Sequence, residues 1–340
     1  MTFDLCGGIA NGKGETMKYN QLGATGVHVS QLCFGTMSFG GDATLDQAQS
    51  MFHKCLDWGI NFFDCADGYG RGKAETLLGS FMAEQRDRLV ISTKCFNKMA
   101  DDVNAGGGNR RHVVRAVENS LQRLKTDRID ILLMHRFDNT VPLEETLRAL
   151  EQVVQDGKVL YLGASNYAAW QVMKALGISR GHGWSGFQVI QPMYSLVKRQ
   201  AEVEIFPMAL SENLGVMTYS PLGGGLLSGK YADKSADGRL VQNPDYALRY
   251  GEKWAHDASA TFVAFARDHG FDPVSLAVSW AAQHQAVTCP IIGARNEDQL
   301  LSSLSSIKIN MTPELYEQIS DLSRTPPPAT DRLEGQLKAK

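Results

Sequence analysis

No run in this chain of 340 residues reaches the roughly 18 consecutive apolar residues that a membrane-spanning helix needs, so the sequence predicts no membrane partner. An excess of one charge is also missing. With 34 Lys and Arg against 37 Asp and Glu, the net charge is −3, and nothing electrostatic draws the chain to nucleic acid. Cysteine is sparse: Cys6, Cys33, Cys55, Cys65, Cys95 and Cys289 are scattered without a CxxC pair, which argues for reduced, core-packing thiols and a cytoplasmic setting. HExxH and Asp-rich loops are absent, so no metal is expected, and the lack of GxxxxGK[ST] excludes a P-loop triphosphatase.

The composition that remains, 43% hydrophobic and 21% charged, is that of an ordinary globule with ample core-forming material. Length alone suggests about two domains, but a (β/α)8 barrel takes roughly 250 residues before insertions, so one domain with additions also fits. Residues 1–16 are Gly-rich, lack a hydrophobic segment and precede a second methionine, Met17; they read as a disordered extension or as the product of an upstream start codon, and not as a signal peptide. The stretch 324–340 reads as a tail, because Pro326, Pro327 and Pro328 deny a helix its hydrogen bonds. The folded domain is expected over 17–323.

After an expected hairpin at 19–29, short apolar runs alternate with amphipathic ones. Strands are predicted at 32–34, 61–64, 89–94, 129–135, 159–165, 187–191, 215–219 and 287–293. Helices are predicted at 45–58, 73–82, 110–124, 143–156, 167–176, 201–213, 255–269, 273–283 and 296–304. Such alternation implies a parallel sheet covered on both faces, and eight units imply closure into a (β/α)8 TIM barrel. An open doubly wound sheet is the competitor, but the first strand is followed by Gly35-Thr36-Met37-Ser38-Phe39-Gly40, without GxGxxG spacing. Two long segments, 98–109 and 222–253, interrupt the alternation and read as loops closing over substrate and cofactor.

Asp64, Tyr69, Lys94 and His135 fall at or just beyond the ends of successive predicted strands, where barrel enzymes place their chemistry. A free tyrosine titrates near pH ~10 and yields its proton reluctantly unless a cation favours the phenolate. Lys94 offers that cation, Asp64 the counter-charge a buried ammonium requires, and His135 a group to orient a carbonyl. A glycosidase pair of Asp64 and Asp67 fits less well, since the two lie three residues apart on one strand exit and not on opposing strands.

An Asp followed five residues later by Tyr, then Lys and His on the next two strands, resembles the aldo-keto reductase superfamily, from Leu22-Gly23 to about Leu322. The dense run Tyr219-Ser220-Pro221-Leu222-Gly223-Gly224-Gly225 with Ser228-Gly229-Lys230-Tyr231, and the turn Gly293-Ala294-Arg295, are similar to the bacterial branch related to potassium-channel β-subunits. The resemblance implies NADP(H) as cofactor and a small carbonyl compound as substrate, with Tyr69 as proton donor. It assigns Gly35, Thr36 and Met37 to the cofactor, Ser165, Asn166 and Gln191 to the nicotinamide carboxamide and Tyr219 to stacking on the ring. Ser220 and Leu222 are also assigned to the cofactor, and the glycines, Gly224 among them, fall to the pyrophosphate with the charge of Lys230 nearby. Gly293, Arg295, Gln299 and Ser303 fall to the adenosine end and its 2′-phosphate, with a departure at Ser302-Ser303, where relatives often carry Glu-Asn. Met37, Phe39, Tyr69, Phe96 and Met99 are candidates for an apolar substrate pocket. Because the β-subunits keep the reductase site while serving as binding partners, a cofactor-sensing interaction module with little turnover is the alternative function. A homo-oligomer is left open.

Overall fold

The computed structural model describes residues 9–10, 16–232 and 238–334. The chain begins with β1 (Ile9–Ala10), β2 (Thr16–Met17), β3 (Tyr19–Gln21) and β4 (His28–Ser30). It continues through β5 (Cys33–Gly35), α1 (Leu45–Asp57), β6 (Phe62–Asp64), α2 (Lys73–Phe81), β7 (Val90–Cys95), α3 (Arg110–Leu124), β8 (Ile129–Met134) and α4 (Leu143–Gln155). Next come β9 (Val159–Ser165), α5 (Ala169–His182), β10 (Phe187–Gln191), α6 (Ile205–Ser211) and β11 (Gly215–Thr218). The last elements are α7 (Arg239–Gln242), α8 (Pro244–Tyr250), α9 (Lys253–Asp268), α10 (Pro273–Gln283), β12 (Cys289–Ile292), α11 (Glu297–Leu304) and α12 (Pro313–Ser320).

Strands β5 to β12 close into a parallel barrel of eight, and the doubly wound alternative falls away. The barrel's logic is the period of two along each strand. Cys33, Phe62, Ile131, Leu133, Val189, Met217, Cys289 and Ile291 pack together as one cluster, while their neighbours Phe34, Phe63, Leu132, Ile190, Val216 and Ile292 pack outward in the cluster shared with the helices. Leu22 and Val29, flanking the β3–β4 hairpin turn, join the inner cluster, and Leu22 abuts Gly215 at the start of β11. The hairpin therefore closes the N-terminal end of the barrel.

Helix starts carry their own signals. Thr44 and Gln47 form a capping box on α1, Asn109 caps α3, and Asp272 with Pro273 opens α10. The expected loop 222–253 is partly helical: Asn243 caps α8 in front of Pro244. Helix α5 runs to His182, six residues beyond its predicted end, and α12 goes beyond the predicted elements. Segment 98–109 forms no helix or strand.

Of the expected N-terminal extension, Ile9 pairs with Met17 and Ala10 with Thr16 in an antiparallel bridge. Residues 1–8 and 11–15, and 335–340 of the expected tail, lie outside the described residues. Among the described residues no helix is long and apolar enough to cross a membrane.

Candidate active site

The alternation that fills the barrel core also selects what faces its C-terminal mouth. Two residues beyond Phe62 on the inward register stands Asp64; beyond Val90, packed on the inner cluster, come Ser92 and Lys94; beyond Leu133 comes His135. Gly35, Ser165, Gln191, Tyr219 and Gly293 continue the inward register of their own strands in the same way. Tyr69 leaves the strand register altogether. It follows β6 by five residues and opens a tight turn in which Gly70, Arg71 and Gly72 adopt left-handed backbone with φ of 55°, 56° and 90°.

Lys94 is fully buried, so its charge must be satisfied by protein. Its Nζ lies 2.8 and 2.6 Å from the two oxygens of Asp64, 2.7 Å from the Cys65 carbonyl and 3.5 Å from the Tyr69 hydroxyl. An ammonium has three N–H groups, and all three have acceptors here. Asp64 is saturated in turn: Ser92 Oγ donates to its Oδ1 at 2.7 Å and Gln191 Nε2 at 3.0 Å. His135 stands edge-on to Tyr69, ring centroids 6.1 Å apart, with its backbone carbonyl accepting from Asn166 Nδ2 at 2.9 Å. The structure thus brings all four sequence-predicted residues to one place.

Burial opposes a charge on Lys94, but the Asp64 carboxylate and its hydrogen bond more than offset it, and the ammonium is held above its usual range. Burial pushes the Tyr69 phenol up to about 12. The expected downward pull of Lys94 on that phenol is present and is outweighed, so Tyr69 keeps its proton at neutral pH. Burial, with Lys94 and Arg136 repelling further positive charge, pushes His135 down to about 3 and leaves the imidazole neutral. A protonated phenol and a neutral imidazole, side by side, are two hydrogen-bond donors suited to a carbonyl oxygen on which negative charge develops.

The other candidates are also near, with partners of their own. Thr36 Oγ1 donates to the Asp64 carbonyl, Ser165 Oγ to the Gln191 carbonyl, and the Tyr219 hydroxyl to Asn166 Oδ1 at 2.6 Å. Met37 is exposed, whereas Phe39 is buried against Phe34 and Phe81, which corrects its candidacy for the substrate pocket. After β11 the chain takes a left-handed path, with φ of 60° at Ser220 and 56°, 67° and 98° at Gly223, Gly224 and Gly225. A Cβ on Gly224 would stand 2.9 Å from the Tyr250 ring, and one on Gly225 2.8 Å from the Lys230 side chain. Ser195 Oγ, beside Gly223, is buried without a partner. Residues at 222–225 thus make a cradle that only glycine fits at its tight points, with a lysine folded over it, which suits a diphosphate.

At the far edge, Arg295 Nε lies 3.3 Å from Asp42 Oδ2, and its backbone N–H donates to Gln299 Oε1. Glu297 and Asp298 occupy the first turn of α11, so the positive end of that helix already faces carboxylates. Ser303 is buried. Among the described residues no group of His, Cys, Asp and Glu gathers in a way that could hold a metal.

The sequence profile described as the aldo/keto reductase family matches residues 31–324. The chain belongs to that family. An uncharacterized oxidoreductase of Bacillus subtilis, YrpG, is 34% identical over 318 residues, spanning 90% of this chain and 96% of its own length. A probable voltage-gated potassium channel subunit beta of Oryza sativa is 32% identical over 333 residues, spanning 93% and 99%. Versiconal hemiacetal acetate reductase of Aspergillus parasiticus is 30% identical over 336 residues, spanning 90% and 96%. This aldo/keto reductase is accordingly an oxidoreductase of carbonyl compounds.

Several contacts around these residues lie outside the sequence reading. Ser92 shares the inward face with Lys94, two residues on, and the period of two would have found it. Gln191 was expected at the cofactor, and its bond to Asp64 carried no sequence signal. Neither did Asp42 beside Arg295, nor Asn97, whose Nδ2 lies 3.2 Å from both Asp67 Oδ1 and His135 Nδ1.

Proposed function

We propose that this protein reduces aldehyde or ketone carbonyls to alcohols with NADPH, with Asp64, Tyr69, Lys94 and His135 as its catalytic residues. The observation that carries the reading is the buried Lys94 held between the Asp64 carboxylate and the Tyr69 hydroxyl. Bound NADPH would supply a hydride to the carbonyl carbon. Tyr69 gives its proton to the carbonyl oxygen, and the phenolate left behind faces the Lys94 ammonium before solvent returns the proton. Asp64 keeps Lys94 charged through the cycle, and Ser92 and Gln191 keep Asp64 in place. His135, neutral, donates to the oxygen without competing for the transferred proton.

Gly35, Thr36, Met37, Ser165, Asn166 and Gln191 would border the nicotinamide, with Tyr219 against its face. Ser220, Leu222, Gly224 and Lys230 would hold the diphosphate. Gly293, Arg295, Gln299 and Ser303 would form the adenosine edge. Arg295 favours NADPH over NADH, because its planar fork pairs with phosphate oxygens. We assign residues 17–323 to the reductase domain. Steady-state reduction of a panel of aldehydes with NADPH tests the proposal: measurable turnover is expected, whereas tight cofactor retention with negligible turnover would replace it with a cofactor-sensing binding module.

A further inference from the structure

One pair of side chains beside the four catalytic candidates has no role in the scheme above. Asp67 is fully buried, and its backbone N–H is tied to the Lys94 carbonyl at 3.1 Å. Its Oδ1 accepts from Asn97 Nδ2 at 3.2 Å, while its Oδ2 is buried without any partner. A buried carboxylate with one of its oxygens unsatisfied is costly, and a purely structural turn would do better with asparagine or serine. The same Asn97 nitrogen lies 3.2 Å from His135 Nδ1. Gly68 presses on this amide: a Cβ there would stand 2.5 Å from Asn97 Nδ2.

The direction of these bonds follows from chemistry. Burial pushes Asp67 up to about 6, so above neutral pH it is ionised and only accepts, and the Asn97 side chain must turn its NH2 end, and not its carbonyl, toward it. That NH2 group has two hydrogens. One goes to Asp67 and the other faces His135 Nδ1, which must then be the unprotonated nitrogen of the neutral ring. The imidazole's single proton is left on Nε2, which makes no hydrogen bond to any described residue.

We propose that Asp67 and Asn97 are positioning residues that hold His135 in the Nε2–H tautomer, so that the ring meets a carbonyl oxygen as a donor. The proposal deepens the reductase reading and rests on it for the role of His135. Without the carboxylate the Asn97 amide turns freely between two orientations, and in one of them its carbonyl would draw the proton to Nδ1 and leave Nε2 as an acceptor facing substrate oxygen.

The test is nitrogen NMR of the histidine rings in the full chain with NADP+ added, the His135 signals being assigned by their loss in His135→Gln. In the native protein the His135 proton is expected on Nε2. In Asn97→Leu, which takes away the amide that donates to Nδ1, both tautomers are expected. In Asp67→Asn both tautomers are expected. Carbonyl reduction should fall roughly ten- to a hundredfold in Asn97→Leu, as expected for one lost hydrogen bond to developing charge, with NADPH affinity unchanged. A native His135 proton on Nδ1, or an Nε2–H tautomer unmoved in both variants, would overturn the proposal. If Asn97→Leu does not fold, the native spectrum and Asp67→Asn decide it. The tautomer is read without turnover, so a failure of the proton-donor assignment to Tyr69 would show separately, in the kinetics of Tyr69→Phe.

Discussion

Lys94 and Arg295 are both cations placed near a carboxylate at the C-terminal end of the barrel, yet their settings are opposite. The Lys94–Asp64 pair is buried, with side-chain exposures of 0% and 3% and a closest approach of 2.6 Å. The Arg295–Asp42 pair, 3.3 Å apart, is exposed at 32% and 44%. A buried pair whose donors and acceptors are all satisfied is costly to separate, whereas an exposed pair contributes little and exchanges partners readily. The centre of the chemistry is therefore set by the fold before any ligand arrives. If Arg295 receives a phosphate as proposed, it does so from an exposed pair already shared with Asp42, so cofactor choice should be the softer property of the two.

Removing the Lys94 charge should have the largest effect. Lys94→Met leaves Asp64 buried without its counter-charge, and loss of about 3–5 kcal/mol of stability is expected, measured by urea denaturation. Reduction should be lost with it. Lys94→Met as stable as the native protein would erase the contrast between the two pairs.

Arg295→Ala should act more mildly and on one cofactor only. A hydrogen bond to a charged group contributes on the order of 1.5–3 kcal/mol, and with Asp42 already sharing the guanidinium the lower end is expected, a roughly tenfold NADPH preference. Dissociation constants for NADPH and NADH, in native protein and variant, measure it. The preference should shrink in Arg295→Ala through weaker NADPH binding, and in the native protein as salt rises. Equal losses for both cofactors would make Arg295 a support of its turn.

The smallest effect is an expected absence. With Tyr69 pushed up to about 12 and His135 down to about 3, neither changes protonation between pH 7 and 10. The single-turnover rate of reduction should be level across that window. A step within it would mean that solvent reaches the site and relaxes these shifts.

How much of this was legible in the sequence follows from the same contrast. Strands and inward residues were readable because the period of two runs unbroken from the apolar core into Asp64, Lys94 and His135. Boundaries were less so. The predicted end of α5 stops before Gly177, a residue that weakens helices by about 1 kcal/mol relative to alanine. In the structure Gly177 and Gly181 face open space, and the helix continues until Gly183, whose φ is 68°. The Thr312-Pro313 start of α12 was a visible signal, and its anchor, the stacking of Tyr316 on Trp280, joins segments distant in sequence. Side-chain partners such as Gln191 with Asp64, or Asp42 with Arg295, are products of barrel closure and loop packing, and no local pattern encodes them.

The central claim is that a buried, protonated phenol completes the reaction. Tyr69→Phe tests it most directly, because the ring still packs while the one hydroxyl is lost. Carbonyl reduction and NADPH binding should be measured on the same preparation. The reading predicts a rate reduced by roughly 10²–10⁴-fold, the usual contribution of general acid catalysis, with the dissociation constant for NADPH nearly unchanged. Retention of more than about a tenth of the native rate, well outside that range, would contradict it.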